Sequence, residues 1–204
     1  PEEINERYGV DQNRPLIVFT QHSVTTQFDQ AAEQVRPALS AIERLAKDGV
    51  QCVLTYPNND AGGRQIINKL EAFAARGLVN VQLHKNLGRY NYHGMLNNCG
   101  RIGRGVCVGN SSSGIKETPV FGCPAVDIGS RQDGRLAAAN IVKTGYDADE
   151  IYAAVRRGLD DDAFRRKCAT CENPYGTGGA GRKIADVLSN IDLGEKLITK
   201  KMTI

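Results

Sequence analysis

The chain has no tryptophan, two methionines and three histidines among 204 residues, and aromatics make up only 6% of it. So sparse an aromatic complement gives no platform for stacking nucleic-acid bases. The net charge of +3 is likewise too small and too evenly spread to hold a polyanion. No apolar run approaches the length of a membrane span, and the opening Pro1-Glu2-Glu3-Ile4-Asn5-Glu6-Arg7 is too charged for a secretory signal. The expected partner is therefore a small anion, with neither nucleic acid nor membrane, in a cytoplasmic protein. There is no initiating methionine, which raises the expectation of a processed or excised piece of something longer.

Cysteine is present but unpatterned. Cys52, Cys99, Cys107 and Cys123 lie in or beside apolar runs, which suits reduced, buried packing. Cys168 and Cys171 form one Cys-x-x-Cys pair with no second pair and no histidine nearby, so neither zinc nor a redox role is expected. No metal or other cofactor is implied. Lys196, Lys200 and Lys201 form the one basic cluster, in a stretch expected to be a solvated tail.

Hydrophobic residues at 41% and charged residues at 24% are ordinary globular values. Leu16–Phe19 is a short apolar run, followed by a helical stretch from about Phe28 to Lys47 that Pro37 should interrupt. Val53-Leu54, 79–83, Val106–Val108, Ala125–Ile128 and a weaker stretch at 140–142 follow as strands, with helices between them opened or stopped by glycines. Short strands alternating with helices require right-handed crossovers, so the expected fold is α/β, a doubly wound, mainly parallel, Rossmann-like sheet. Residues 1–191 are expected to form that domain. The pattern turns helical from Ala148, breaks at Asn173–Gly178, and ends in a helix or tail over 192–204.

In such sheets ligands bind beyond the carboxyl ends of the strands, and those positions are polar here. They hold Gln21, His22, Ser23, Thr25 and Thr26; then Tyr56, Asn58, Asn59 and Asp60; then His84 and Lys85; then Gly109–Gly114; then Arg131, Gln132 and Arg135. Gly109-Asn110-Ser111-Ser112-Ser113-Gly114 joins a strand to a helix, with glycines for close approach and serines for donors. It reads as a phosphate cradle or, blandly, as a plain turn. It is neither a dinucleotide fingerprint nor a P-loop.

Glu117, three residues on, suits acceptance of two ribose hydroxyls, or equally a helix-end charge. Arg131 and Arg135 suit a diphosphate or surface ion pairs. His22 alone among the histidines is flanked by hydroxyls at a strand end, which fits a proton or hydrogen-bond donor to a leaving phosphate. His84 and His93 read as scaffold, because neither has a ligand-like spacing to the other or to a carboxylate.

Together these segments resemble the hydrolysing UDP-N-acetylglucosamine 2-epimerases, of GT-B architecture. The likeness lies in Gln21–Thr26, Tyr56–Gly62, Gly109–Glu117, Gly129–Arg135 and Asn173–Gly178, and it covers roughly residues 14–191. It implies that UDP binds here, with Ser111 and Ser112 on the diphosphate, Glu117 on the ribose, Asn58 and Arg131 near the nucleotide, and His22 as the catalytic residue at the scissile bond. Tyr90 or Tyr92 would meet uracil. The implied reaction is anti elimination of UDP to a 2-acetamidoglucal, then hydration to N-acetylmannosamine, a step toward sialic acids.

A non-hydrolysing relative would show Thr-x-His-Arg-Arg-Glu where this chain has Gln21–Thr26. A bacillosamine-type 2-epimerase, a GT-B glycosyltransferase domain and a non-catalytic UDP-sugar sensor remain alternative readings. The resemblance further implies that the chain is the C-terminal domain of a homo-oligomeric enzyme whose N-terminal domain supplies the acid/base carboxylates. Alone it would bind UDP weakly and turn nothing over.

Overall fold

A computed structural model describes residues 2–199. The chain divides into two compact units, residues 1–174 and 175–204. The first unit holds six strands, β1 (Leu16–Thr20), β2 (Gln51–Thr55), β3 (Val81–His84), β4 (Gly105–Gly109), β5 (Ala125–Ile128) and β6 (Ile141–Thr144). They form one all-parallel sheet in the order β3-β2-β1-β4-β5-β6. The Rossmann-like expectation is thereby met, and the order reverses between β1 and β4.

Strand alternation sorts the core into two layers. Ile17, Phe19, Cys52, Leu54, Val106 and Val108 point to one face, against α2 (Ala31–Lys47), α3 (Gly63–Ala74) and α6 (Ala148–Asp160). Leu16, Val18, Val53 and Cys107 point to the other, against α1 (Glu2–Tyr8) and α4 (Gly88–Asn97). With both faces covered, β1, β2 and β4 are buried at every position, which is why they read as continuous apolar runs. All described cysteines are free thiols, and Cys171 alone is not fully buried.

Several boundaries differ from the sequence reading for physical reasons. α2 runs unbroken through Pro37, because the carbonyl left without a donor belongs to Glu33 on the exposed side, where water can satisfy it. β3 begins two residues late: Val79 is exposed and Asn80 is engaged with Arg14 and the carbonyl of Ala46. The charged start folds as α1, anchored by buried Ile4 and by an edge-on contact of Tyr8 with His84. α4 begins four residues before Tyr92 and ends in a π turn over Asn98–Ile102.

α6 is followed by α7 (Asp162–Ala169). In the second unit, α8 (Ala180–Asn190) carries Ile184, Val187 and Leu188 exposed, and α9 (Glu195–Ile198) is a single turn. Lys200 and Lys201 of the expected tail lie outside the described residues. Among the described residues no helix is long and apolar enough to cross a membrane.

Candidate functional site

The topology places the ends of β1 and β4 side by side, and the approach is very close. A Cβ on Gly109, whose φ is +127°, would lie 2.0 Å from the carbonyl oxygen of Thr20, so only glycine lets the two strands end together. The chain then turns, and Asn110 N–H donates to the Thr20 carbonyl at 3.1 Å. Outside this junction lies an open cleft of about 330 Å³. Its lining includes His22 after β1, Tyr56 after β2, Lys85 to Arg89 after β3, Tyr92 and His93 of α4, and Ser111, Ser113 and Glu117 after β4.

His22 is held from three directions. Its N–H donates to Asn110 Oδ1 at 2.7 Å, its carbonyl accepts from Asn110 Nδ2 at 2.9 Å, and its ring Nδ1 accepts the N–H of Asn58 at 2.9 Å. Burial, followed by the nearby Arg131 guanidinium, lowers its pKa from 6.5 to about 4, against a side-chain hydrogen bond with Asn58 and the charge of Asp60, both of which raise it. The ring is therefore neutral at physiological pH.

Asn58 spends its side chain on Asp60, donating at 2.6 Å, and Arg131 Nη2 stands 3.9 Å from the same carboxylate. Arg131 Nη1 and Gln132 Nε2 both donate to the carbonyl of Asn110, at 3.2 and 2.6 Å. Asn58 and Arg131 thus brace the loops from behind the cleft lining. Arg135 is exposed.

The opposite wall is built from side-chain pairs. Glu117 Oε2 meets His93 Nε2 at 2.9 Å, and Tyr92 Oη lies 2.6 Å from Ser113 Oγ, which donates in turn to Ser111 Oγ at 3.2 Å. His93 joins the site instead of serving as scaffold. Its carboxylate partner is 24 residues away and on another element, invisible to any local spacing rule. His84 stays on β3, bonded to Gln82.

The helix expected after Gly114 is α5 (Ser113–Lys116), four residues that pass into a 3₁₀ turn containing Pro119. So short a helix sums little dipole, and any anion must be held by individual donors. The N–H groups of Ser111 and Ser112 make no hydrogen bond among the described residues. Of the serine side chains, Ser111 and Ser113 line the cleft, whereas Ser112 stands just before the start of α5, makes no capping bond to it, and is not in the lining. Tyr92 reaches the serines, and Tyr90 is exposed on α4. Among the described residues no three His, Cys, Asp or Glu groups converge as a metal site.

A doubly wound parallel sheet with a polar cleft outside its switch point defines a Rossmann-like α/β domain. The chain belongs to the UDP-N-acetylglucosamine 2-epimerase family, whose sequence profile matches residues 1–189. It is 29% identical over 96% of its length to a UDP-N,N'-diacetylbacillosamine 2-epimerase (hydrolyzing) of Legionella pneumophila, covering 48% of that protein. It is 28% identical to a UDP-N-acetylglucosamine 2-epimerase of Neisseria meningitidis, with 93% of this chain and 46% of the relative aligned. The chain therefore spans about half the length of these relatives.

In fold it is similar to the crystal structure of a Neisseria meningitidis UDP-GlcNAc 2-epimerase bound to UDP-GlcNAc. The TM-score is 0.73 at 18% identity, over 93% of this chain and 49% of the other.

Proposed function

We propose that this chain is the nucleotide-binding half of a hydrolysing UDP-N-acetylglucosamine 2-epimerase. The observation that supports it most is the convergence of His22, Ser111, Ser113 and Glu117 on one cleft at the sheet's switch point. Glu117 has one carboxylate oxygen on His93 and the other available to ribose hydroxyls. The open N–H groups of Ser111 and Ser112, with the Ser111 hydroxyl, suit the diphosphate, and Arg131 adds positive charge behind the loop.

Residues 1–191 act as the UDP-binding domain, with 192–204 as its extension. In the proposed reaction a base takes the proton from C2 of the sugar, and the C1–O bond breaks with its electron pair leaving on UDP. Water then adds across the resulting double bond to give N-acetylmannosamine. The chain's described residues hold no pair of carboxylates facing the cleft, so the proton-transfer groups belong to the half found in the longer relatives, which also excludes water.

The assembled enzyme is proposed to be a cytoplasmic homo-oligomer that takes a UDP-sugar and no cofactor. The Legionella pneumophila relative, a UDP-N,N'-diacetylbacillosamine 2-epimerase (hydrolyzing), supports a second reading of the same chemistry, on a diacetylated amino sugar.

Full-length polypeptide incubated with UDP-N-acetylglucosamine in D2O, without acceptor, is expected to release UDP and C2-deuterated N-acetylmannosamine in equal amounts. N-acetylglucosamine as the product, or no deuterium at C2, overturns the proposal.

A further inference from the structure

We infer that His22 works as an uncharged imidazole, donating a hydrogen bond from Nε2–H to the departing phosphate, with Asn58 as the positioning residue that fixes this tautomer. The inference rests on the UDP-eliminating reading above and assigns what its histidine does.

Nδ1 accepts the main-chain N–H of Asn58 at 2.9 Å, and a main-chain amide can only donate. Nδ1 must therefore carry a lone pair, which leaves the single proton of the neutral ring on Nε2. Nε2 is the nitrogen that this bond leaves over, and His22 lines the cleft. The group aimed at the ligand is thus a donor by geometry alone.

The tautomer is built into the fold. The Asn58 turn is drawn in close by Gly63, where a Cβ would lie 2.6 Å from the Asn58 carbonyl oxygen. Asn110, buried at the head of the serine loop, clasps both the N–H and the carbonyl of His22 and so fixes the backbone from which the ring projects, while the Asn58 bond sets the ring's orientation.

The surroundings oppose a second proton. An imidazolium would have to give up the Asn58 bond, because a protonated Nδ1 and a main-chain N–H would face each other. Burial and the positive charge of Arg131 act in the same direction and outweigh the two opposing influences, a side-chain hydrogen bond with Asn58 and the charge of Asp60, which is itself occupied by the Asn58 amide and by Arg131.

The consequence for the reaction is specific. As C1–O breaks, its electron pair settles on the phosphate oxygen, and Nε2–H stabilises that charge by a hydrogen bond without giving up its proton. UDP leaves as the anion, which needs no proton at neutral pH. The imidazole has nothing to regain before the next cycle.

Two measurements test this. In this chain labelled with 15N-histidine, with His22 signals assigned by their loss in His22→Asn, Nδ1 should give a pyridine-type signal and Nε2 a protonated pyrrole-type one. That pattern should persist unchanged from about pH 8 to about pH 5. A protonated Nδ1 at neutral pH overturns the inference.

In the full-length polypeptide, His22→Gln, whose amide donor falls near the Nε2 position, should retain within about tenfold of wild-type kcat. His22→Asn, with its donor near Nδ1, should lose about a hundredfold, the usual scale for a lost donor to a developing oxyanion. Equal losses in both, or an acid-form requirement near pH 6.5, overturn it as well. Failure of this chain to bind UDP by calorimetry would instead sink the nucleotide reading, while the tautomer pattern would still be read from the same sample.

Discussion

The two walls of the cleft hold their functional groups by different means. On the β1 side the links that hold His22 and Asn110 run through the main chain: Asn110 clasps the backbone of His22, the backbone of Asn58 fixes its ring, and Arg131 and Gln132 hold the backbone of Asn110. On the α4 side the links run from side chain to side chain, His93 to Glu117 and Tyr92 to Ser113. The His93 and Glu117 side chains are 37% and 41% exposed, whereas Asn110 is 1% exposed.

A group fixed through buried backbone is committed to one geometry before ligand arrives. A group fixed by a half-exposed partner can readjust within a rotamer. The first wall is therefore suited to stabilising charge that develops during reaction, and the second to gripping a ribose whose hydroxyls must displace water.

The largest effect should follow from cutting the clasp. Asn110→Ala leaves two main-chain groups of His22 without partners, at a cost of about 1–3 kcal/mol each when buried. Urea unfolding should show a loss of about 2–4 kcal/mol, and calorimetry a drop in UDP affinity of at least about tenfold. If stability falls while UDP binds as before, the first wall is scaffold only and the contrast between the walls collapses.

This residue also marks where sequence reading stopped. The sheet was legible because strands buried on both faces must be apolar throughout, and the polar residues after each strand announced the cleft. Asn110, however, sits inside a motif that reads as a phosphate loop, and nothing local says that its side chain turns back to β1. The choice between Ser112 and Ser113 depended on where a four-residue helix begins, which no periodicity reveals. Asn58 was found by its position after β2, yet the contact of its backbone N–H with the His22 ring is one that no local spacing reveals. His93 and Glu117 meet only because α4 packs beside the 3₁₀ turn that follows α5, a tertiary fact. α8 falls in the helical stretch that resumes after the Asn173–Gly178 break, while Ile184, Val187 and Leu188 remain exposed in their own unit.

A somewhat smaller effect should appear in the pH dependence of stability. The folded pKa of His22, about 4, lies below its ordinary value of 6.5. The unfolded chain thus takes up this proton first as pH falls. Stability contributed by the neutral ring is complete above pH 6.5 and is lost progressively down to about pH 4. At about 1.4 kcal/mol per pH unit of separation, and allowing for partial solvent access, the loss is about 2–3 kcal/mol. Thermal or urea unfolding of wild type and His22→Asn across this window isolates the contribution, since His84 and the carboxylates titrate in both. Parallel curves would show that the first wall does not bury its histidine as described.

The smallest effects belong to the second wall, and they are best measured as a pair. Glu117→Ala should weaken UDP binding by about 1.5–3 kcal/mol, the range for hydrogen bonds to a charged group, with stability changed by less than about 0.5 kcal/mol because the side chain is half exposed. His93→Ala should cost only about fivefold in affinity, since it removes an orienting contact and leaves the carboxylate in place. In the double variant the His93 effect should vanish, because a histidine that acts only through Glu117 has nothing left to orient. Additive losses would mean that His93 touches the nucleotide itself. The second wall would then offer two independent contacts in place of one held carboxylate, and its resemblance to the first wall would be closer than the geometry indicates.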